Sequence, residues 1–536
     1  MKRHELIPVT DLKEGQMKIF EIEDHRVLLV NVDSKLSAVS GSCPHYGAPL
    51  EQGVLSKDTL ICPWHHACFN ARSGKLQEPP ALDNLYKYEL EIENEKVFVK
   101  IPEEDVSTQL PNLHDKEATD NRNFVIIGAG AAGFAASQAL RESGYGGKIS
   151  MITKEQNNPY DRPSLSKTYL QDPESESYLP LRPDDFYQKY QIEMLYGNRV
   201  TNLDVQNKAI TLQNDQILQY DKLLIATGGI PRQLEVPGKD LKNIFTLRSY
   251  HDSKSILQAA ENVEHVTVVG SSFIGMEVAF SMLQHDKKVT VISPDEVPFA
   301  KTFGREIGEV FKKQHEQKGT KFITKTKVTG FAGNENVNTV ELANGEKIAT
   351  ELVVVGIGVY PATDFVKGLT MLPDKSIKVN EYLQAAENIY AAGDIATYPD
   401  WRTGESTRVE HWRVALQQGR IAGRNMSGHK EKYTSTPFFW TKQADISLNY
   451  VGFARDWDEL VIDGSLQEQD FLAYYIQNNQ LLAVAGNKRS KEMDAINLVM
   501  QAVIFPGMNL LWSGCIVMVL GLGVVLVKRW RAKEKS

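Results

Sequence analysis

The stretch FVIIGAGAAGFAASQAL, residues 124–140, has the pattern of a buried strand, a glycine-rich turn and a helix. The stretch VTVVGSSFIGMEVAFSM, residues 266–282, repeats that pattern. A strand that leads through a glycine turn into a helix is typical of a doubly wound α/β domain with a parallel sheet. The two repeats therefore predict two Rossmann-type α/β domains in the middle of the chain.

The chain before and after these repeats has different patterns. The N-terminal part contains the β-runs VLLVNV, KLSAVS and KVFVKI, with Gly and Pro between them, which predicts an all-β domain. A polar, acidic stretch without period follows and predicts a linker. The predicted boundaries are 1–103 for the all-β domain, 104–120 for the linker, 121–245 and 364–432 for the two parts of the first α/β domain, 246–363 for the second and 433–500 for a small C-terminal α/β domain.

Residues 508–527 carry no charged side chain and are followed at once by KRWRAKEK. A helix of this length matches the hydrocarbon core of a bilayer, which is about 30 Å thick. A buried terminal helix would have the same composition, but the basic stop, Trp512 and Trp530 near the two ends and the three glycines favour a membrane span. We therefore predict a single C-terminal transmembrane helix. The chain starts without an apolar signal segment, so its catalytic body is predicted to lie in the cytoplasm.

The composition excludes several classes of protein. A formal net charge of -8 gives no general attraction to nucleic acid, so no nucleic-acid partner is predicted. Four cysteines are too few for a disulfide framework in a chain of 536 residues. No pair of cysteines lies near the glycine turns, which excludes a disulfide reductase mechanism.

Two short motifs near the N-terminus have the residue types of a metal site. Cys43 and His45 form C-x-H, and Cys62 and His65 form C-x-x-H, so each motif supplies one thiolate and one imidazole. A zinc ion would accept the same four ligands. However, the two motifs are alike, each with a proline after its cysteine and a glycine nearby. This symmetry favours two loops that hold a binuclear cluster.

The sequences CPHYGAPL and CPWHHACF resemble the ligand loops of the Rieske family. The resemblance implies a [2Fe–2S] cluster with two Cys on one iron and two His on the other. Ala48 and Trp64 stand where high-potential Rieske proteins carry a second pair of cysteines, which implies the lower-potential ferredoxin type. His66 stands where many relatives have glycine, and we interpret it as a hydrogen-bonding neighbour of the ligands.

The first glycine turn contains Gly128, Gly130 and Gly133, whose spacing lets a backbone approach a pyrophosphate at a helix N-terminus. The next predicted strand ends at Glu155, which is placed to bind an adenosine ribose. An ordinary Rossmann domain for another nucleotide would share these features. The signal that favours a flavin is the run PYDRPSLSK, residues 159–167.

That run resembles the flavin signature of ferredoxin-reductase-type flavoproteins, which include relatives of apoptosis-inducing factor. The resemblance implies bound FAD, and it covers nearly the whole chain up to about residue 500. The FAD-site residues that it implies are Arg162 near the pyrophosphate, Lys167 near the reactive edge of the flavin, Val200 beside the adenine, Thr227 and Gly228 after a strand, Asp394 on the ribityl chain and Trp412 beside the flavin.

The second glycine turn predicts the site of NADH or NADPH, formed by Gly270, Ser272, Gly275 and the later Gly358. The resemblance pairs Glu277 with Lys167 across the flavin, although an acid near a helix start can also stabilise the helix dipole. Lys167, Glu277 and Trp412 are the candidate catalytic residues. Two acids after the second strand, Asp295 and Glu296, favour NADH over NADPH.

These features predict an NAD(P)H-dependent oxidoreductase that passes electrons through FAD to a Rieske cluster and an external acceptor, either a protein or a small molecule. The linker would let the Rieske domain swing between flavin and acceptor. Two alternatives stay open. One is the reductase component of a separate oxygenase or cytochrome system, and the other is a redox-sensing or docking protein whose NADH-bound form recruits partners, with homodimerisation as one route.

Overall fold

The computed structural model describes residues 1–104, 106–114 and 120–502. Its N-terminal part is built on a six-stranded antiparallel sheet. In strand His25–Val32, Leu28 and Val30 contribute to one hydrophobic core and Val27 and Leu29 to another. Because side chains alternate along a strand, this continuous apolar run is buried on both faces. The strands, in their order across the sheet, are Lys2–Pro8, Lys96–Ile101, Lys87–Glu93, Lys35–Ser40, His25–Val32 and Met17–Ile22.

A smaller antiparallel sheet of four strands shares a hydrophobic core with the first sheet and positions the cysteine–histidine motifs. The motif CPH lies in the loop after strand Lys35–Ser40, and the motif CPWH lies in the loop that joins Thr59–Ile61 to Cys68–Asn70. Both motifs therefore lie in loops at the same end of the N-terminal β domain. The four strands are Val54–Ser56, Thr59–Ile61, Cys68–Asn70 and Leu76–Glu78.

The first glycine turn lies in an α/β unit whose sheet contains five parallel strands and one antiparallel edge strand. Helices Ala131–Glu142 and Trp412–Met426 pack closely against each other, because Gly419 and Gly423 leave no side chain between the two backbones. The strands, in order across the sheet, are Ile192–Leu195, Lys148–Ile152, Asn123–Ile127, Lys222–Ile225, Ile389–Ala391 and Gln384–Ala386.

The second glycine turn lies in another α/β unit with five parallel strands. The strands, in order across the sheet, are Ile244–Thr246, Leu352–Val355, His265–Val269, Lys288–Ile292 and Lys321–Ile323. Its helices are Tyr250–Ala260, Phe273–Gln284, Ala300–Phe303 and Arg305–Gln317. Each glycine turn therefore follows a strand and opens a helix, as the sequence predicts.

The C-terminal part contains a five-stranded antiparallel sheet that is covered by one helix, Ser490–Ala502. The strands, in order across the sheet, are Phe438–Gln443, Ile446–Gly452, Gln480–Asn487, Asp470–Gln477 and Glu459–Ser465. The remaining elements are short strands and helices: Asn84–Leu85, Thr108–Gln109, Val200–Asp204, Ala209–Leu212, Ile217–Gln219, Gly229–Pro231, Val328–Gly333, Val337–Leu342, Lys347–Ala349, Val359–Pro361, Ile377–Lys378, Ala396–Pro399 and Ser406–Thr407 among the strands, and Val9–Asp11, Leu50–Gln52, Arg162–Ser166, Thr168–Gln171, Pro173–Tyr178 and Phe186–Lys189 among the helices.

The predicted fold class needs one correction, which is the C-terminal transmembrane helix. Within residues 1–104, 106–114 and 120–502, no helix is both long enough and apolar enough to cross a membrane. The last of these helices, Ser490–Ala502, is about 20 Å long, against about 30 Å of hydrocarbon, and it carries Lys491, Glu492 and Asp494. The predicted span, 508–527, lies outside the described residues. The predicted membrane anchor and the location derived from it are therefore not supported.

A buried histidine makes the stability of the fold depend on pH. His315 is fully buried in helix Arg305–Gln317, and its Nε2 atom lies 3.1 Å from Oε1 of Gln443. Burial lowers the pKa of His315 to about 4. Between this pKa and the ordinary histidine value of about 6.5, the unfolded chain binds the proton more strongly than the folded chain, so the free energy of unfolding falls as the pH falls through that window.

We expect His315→Gln to remove up to about 3 kcal/mol of this pH-dependent loss, because glutamine can still donate to Gln443 and does not titrate. The measurement is the free energy of unfolding at several pH values from 6.5 to 4. The control is His429→Gln, at an exposed position. Equal pH slopes for the two variants would contradict the prediction.

Candidate functional site

The two ligand loops bring like side chains together in pairs. The Nδ1 atoms of His45 and His65 are 3.0 Å apart, and the side chains of Cys43 and Cys62 share a hydrogen bond. Both cysteines are buried. A Rieske cluster requires this pairing, because two thiolates bind one iron and two imidazoles bind the other. The donor set present in the structure therefore fits such a cluster.

The two loops also contain the same type of backbone turn. Gly47 donates its N–H to the carbonyl of Cys43, and His66 donates its N–H to the carbonyl of Cys62. Gly47 and His66 are both left-handed, with φ of 73° and 56°. The turn requires this conformation, which glycine adopts without strain.

The surroundings of the ligand loops favour neutral imidazoles, the form that coordinates a metal. Burial lowers the pKa of His45 to about 4 and lowers the pKa of His65 well below its usual range. The hydrogen bond between the two thiols lowers the pKa of Cys62 and raises the pKa of Cys43.

Buried polar contacts dock the N-terminal domain against the rest of the chain. Arg413 is fully buried, and its Nε and Nη2 atoms donate to the carbonyls of Pro79 at 2.7 Å and His66 at 3.0 Å. Nε2 of Gln417, on the same helix, donates to a carboxylate oxygen of Glu78 at 2.6 Å. A buried charge is tolerated where it is hydrogen-bonded, so these contacts offset the cost of burying Arg413.

Aromatic side chains lie between the ligand loops and the α/β domains. The ring of Trp440 lies 4.5 Å from the ring of His65 and 6.1 Å from the ring of His45. The hydroxyl of Tyr46, next to the predicted ligand His45, donates to the carboxylate of Asp161. The ligand loops therefore contact both the C-terminal sheet and the loop 159–167.

A cavity of about 1030 Å³ lies between the two glycine turns and the C-terminal sheet. This volume is at the upper end of the range for ligand sites, about 300–1,000 Å³. Trp440 lines it, as do most of the predicted site residues. Those that line it are Gly128, Gly130, Glu155, Arg162, Lys167, Val200, Thr227, Gly228, Ser272, Glu277, Gly358, Asp394 and Trp412.

The other predicted glycines, Gly133, Gly270 and Gly275, lie behind the cavity wall. A Cβ atom on Gly133 would lie 1.8 Å from the carbonyl oxygen of Gly128. A Cβ atom on Gly275 would lie 2.3 Å from the carbonyl oxygen of Gly270. These glycines let each helix pack against the turn that precedes it. These three glycines affect the shape of the cavity through helix packing and do not line it.

The first glycine turn fits the pyrophosphate of FAD. Gly128 has φ of 109°, and a Cβ atom on Gly130 would meet no atom within 4 Å, so the backbone there faces open space. Helix Ala131–Glu142 begins at this turn without a side-chain cap. Its first N–H groups are therefore available to an anion.

The structure brings Lys167 and Glu277 together. Nζ of Lys167 lies 2.8 Å from Oε2 of Glu277. Glu277 is buried and also accepts hydrogen bonds from Ser166, at 2.5 Å, and from Thr441, at 3.1 Å. Helix Phe273–Gln284 has no acid in its first turn, so Glu277 lies beyond the part of the helix where an acid stabilises the dipole most.

Arg248 and His411 line the cavity but are not among the predicted site residues. Nη2 of Arg248 donates to a carboxylate oxygen of Asp394 at 2.7 Å, and the carbonyl of Arg248 accepts from Arg162. His411 lines the cavity, and burial lowers its pKa to about 4. No motif surrounds Arg248 in the sequence, and its contacts are with residues far along the chain.

Three known protein families match successive parts of the chain. Residues 122–419 match the family described as pyridine nucleotide-disulphide oxidoreductase. The chain belongs to this family. Residues 2–89 match the Rieske [2Fe-2S] domain, and residues 438–511 match the reductase C-terminal family. The region 122–419 contains no cysteine, so it has no thiol pair for disulfide chemistry.

The chain is similar to apoptosis-inducing factor 3 of Homo sapiens, with 36% identity over 89% of this chain and 80% of that protein. It is similar to putidaredoxin reductase CamA of Pseudomonas putida, with 29% identity over 70% of this chain and 90% of that protein. The solved covalent putidaredoxin reductase–putidaredoxin complex is 29% identical, with a TM-score of 0.69, over 72% of this chain and 94% of that chain.

These findings confirm the predicted class of enzyme and its cofactors. The chain is a ferredoxin-reductase-type NAD(P)H flavoprotein with a Rieske domain. Its cofactors are FAD, a [2Fe–2S] cluster and NAD(P)H. The structure is of a single chain, so homodimerisation stays a prediction.

Two alanine substitutions in the first glycine turn separate packing from cofactor binding. Gly133→Ala is expected to destabilise the protein by about 1–3 kcal/mol or more, because its Cβ overlaps a backbone oxygen. Gly130→Ala is expected to leave the stability of the FAD-free protein unchanged and to weaken FAD binding at least tenfold, because its methyl group points into open space of the cavity.

The measurements are the melting temperature of the FAD-free protein and an FAD titration. Equal destabilisation by the two substitutions would contradict the different roles assigned to these glycines.

Proposed function

We propose that this chain passes electrons from NAD(P)H through FAD to its own Rieske cluster, and then to an external one-electron acceptor. When bound, FAD accepts hydride and releases single electrons, and the cluster takes up one electron at a time. The observation that carries the proposal is the position of Trp440, whose ring lies 4.5 Å from the ring of His65 and also lines the cavity. One aromatic side chain therefore lies between the cluster loop and the cofactor cavity.

The residues that would hold FAD follow from the resemblance and from the positions of their side chains in the cavity. The helix that begins after Gly130 supplies N–H groups for the pyrophosphate. The other proposed contacts are Arg162 on the pyrophosphate, Glu155 on the adenosine ribose, Val200 beside the adenine, Thr227, Gly228 and Asp394 near the ribityl chain, and Lys167 and Trp412 beside the flavin.

Lys167 is the residue that we propose to act on the reacting edge of the flavin. Its ammonium group is held by Glu277, and Glu277 is itself oriented by Thr441 and Ser166. A fixed positive charge stabilises negative charge that develops beside it. Glu277 thereby positions Lys167.

The proposed site of the pyridine nucleotide is the second glycine turn together with Gly358. Ser272 and Gly358 line the same cavity as the first glycine turn. Asp295 and Glu296 follow the second strand and form ion pairs, Asp295 with Lys301 and Glu296 with Lys325. From these two acids we still predict that the site prefers NADH over NADPH.

The docked position of the Rieske domain supports electron transfer without a swing of the domain. The ligand loops already contact the C-terminal sheet. In addition, Thr108–Gln109, inside the predicted linker, pairs with Asn84–Leu85. Backbone pairing holds this part of the linker against the Rieske domain.

A second candidate function is the reductase component of a separate oxygenase or cytochrome system. It is favoured by the similarity to putidaredoxin reductase and to the ferredoxin–NAD(+) reductase subunit of a benzene 1,2-dioxygenase system of Pseudomonas putida. In that case a ferredoxin-type protein would be the external acceptor. The redox-sensing docking role is the third candidate and would show very slow turnover.

An anaerobic titration with NADH tests the proposed function. We expect the flavin absorbance to bleach and a Rieske-type EPR signal to appear, because the cluster loop lies beside the cavity. In Cys43→Ala the flavin should still bleach, while reduction of cytochrome c falls at least tenfold, since a thiolate ligand is lost. Acceptor reduction at the wild-type rate in Cys43→Ala would contradict the proposed electron path.

A hydroxyl deletion tests the positioning of Lys167. Thr441→Val keeps the shape of the side chain but removes the donor to Oε1 of Glu277. We expect a loss of about 0.5–1.5 kcal/mol, seen as a several-fold slower flavin reduction in stopped flow. Thr441→Ser keeps the hydroxyl and is expected to retain most of the wild-type rate. Equal rates in the two variants would show that this hydrogen bond does not act on the reaction.

A further inference from the structure

His66 has a backbone conformation that histidine seldom adopts. Its φ of 56° is left-handed, and it occupies the place in its ligand loop that Gly47 occupies in the other loop, with φ of 73°. The two residues close equivalent turns, since each donates its N–H to the carbonyl of the loop cysteine. Glycine takes this conformation without strain, whereas a histidine does so at a cost in conformational energy. Buried contacts of the His66 side chain are placed to offset this cost.

The contacts of His66 join three parts of the chain. Its ring stacks on Phe438 with centroids 3.9 Å apart, and its Nε2 atom lies 2.7 Å from Oδ1 of Asp494. His66 and Asp494 are both fully buried. The carbonyl of His66 accepts from Arg413 at 3.0 Å. We refer to the contacts with Phe438, Asp494 and Arg413 as the His66 contacts.

These contacts also determine the position of the neighbouring cluster ligand. Phe438 and Trp440 are two residues apart on one strand, so their side chains lie on the same face. His66 and His65 are consecutive, and they meet Phe438 and Trp440, respectively. Attachment of His66 to Phe438 therefore places His65 at Trp440.

We propose that His66 is a positioning residue that holds the Rieske domain in its docked place, and that the His66 contacts set the rate at which electrons pass from the flavin site to the cluster. This inference rests on the proposed function. Asp494 is the partner that the C-terminal helix Ser490–Ala502 supplies. The two side chains are fully buried, and removal of one leaves a buried polar group of the other without its partner, so the docked arrangement is expected to respond strongly to substitution at either position.

The test uses the full-length protein with FAD and cluster bound. His66→Gly relieves the left-handed backbone and keeps the turn that Gly47 shows to be compatible with glycine, so the EPR signal of the cluster should be retained. In anaerobic stopped flow we expect flavin bleaching by NADH at the wild-type rate and cluster reduction at least tenfold slower. Hydrogen–deuterium exchange of the oxidised protein should rise in Phe438–Gln443 and Ser490–Ala502, an observation that does not depend on turnover.

Two substitutions of Asp494 test the same contact from outside the ligand loop. Asp494→Ala removes the partner of the His66 ring and should slow cluster reduction, and combining it with His66→Gly should cause no further loss, because His66→Gly has already removed the contact with Asp494. Asp494→Asn keeps a hydrogen-bonding side chain of the same shape and should restore most of the rate. If His66→Gly fails to bind the cluster, the rates of cluster reduction in Asp494→Ala and Asp494→Asn still test the positioning role of His66.

The outcomes separate this inference from the proposed function. Failure of NADH to reduce the cluster in the wild-type protein would refute the proposed function, while the exchange measurement would still test docking. Wild-type rates of cluster reduction and wild-type exchange in His66→Gly and Asp494→Ala would refute the positioning role of His66 and leave the proposed function intact.

Discussion

The docking of the second ligand loop against helix Trp412–Met426 is the interaction on which the rest of the structure depends. Arg413 is fully buried in this helix and donates to the carbonyl oxygens of Pro79 and His66. Loss of these acceptors would leave two buried donors of the guanidinium without hydrogen bonds, which costs free energy, so these contacts stabilise the docking of the loop on the helix. The preceding residue, Trp412, lines the cofactor cavity. Two consecutive residues thus connect the cluster loop to the cavity.

Strand Phe438–Gln443 provides the second connection, because side chains alternate along it. Phe438 and Trp440 contact the ligand loop through His66 and His65. On the other face, Phe439 packs on Phe273, and Thr441 donates to Glu277. A single strand therefore contacts the cluster loop with one face and the nucleotide-binding domain with the other. This arrangement explains why the small C-terminal domain is central to the site although it carries none of the predicted metal ligands.

The extent to which the structure could be predicted differs between local and distant features. The glycine turns and the ligand loops are closed by hydrogen bonds between near neighbours, so the sequence indicates them directly. The transmembrane helix was predicted wrongly because an uncharged run has the same composition whether it crosses a membrane or packs elsewhere. The docked linker segment Thr108–Gln109 was not foreseen, since it is held through backbone pairing that no side-chain pattern indicates. Arg248 was missed for a related reason, because its partner Asp394 lies in another part of the chain.

The chemical groups that this protein carries, and the turns that present them, follow from the order of its residues alone. Residues that act together are close in sequence in these motifs, as Cys43 and His45 are, and Gly128 and Gly133. Such spacings can be recognised in a single sequence. The contacts of His66 with Asp494 and of His65 with Trp440 are visible only in the folded chain. Arg413 and His66 are 347 positions apart. Contacts over such separations arise when folded domains pack together, and their energy depends on burial and geometry that a local pattern does not contain.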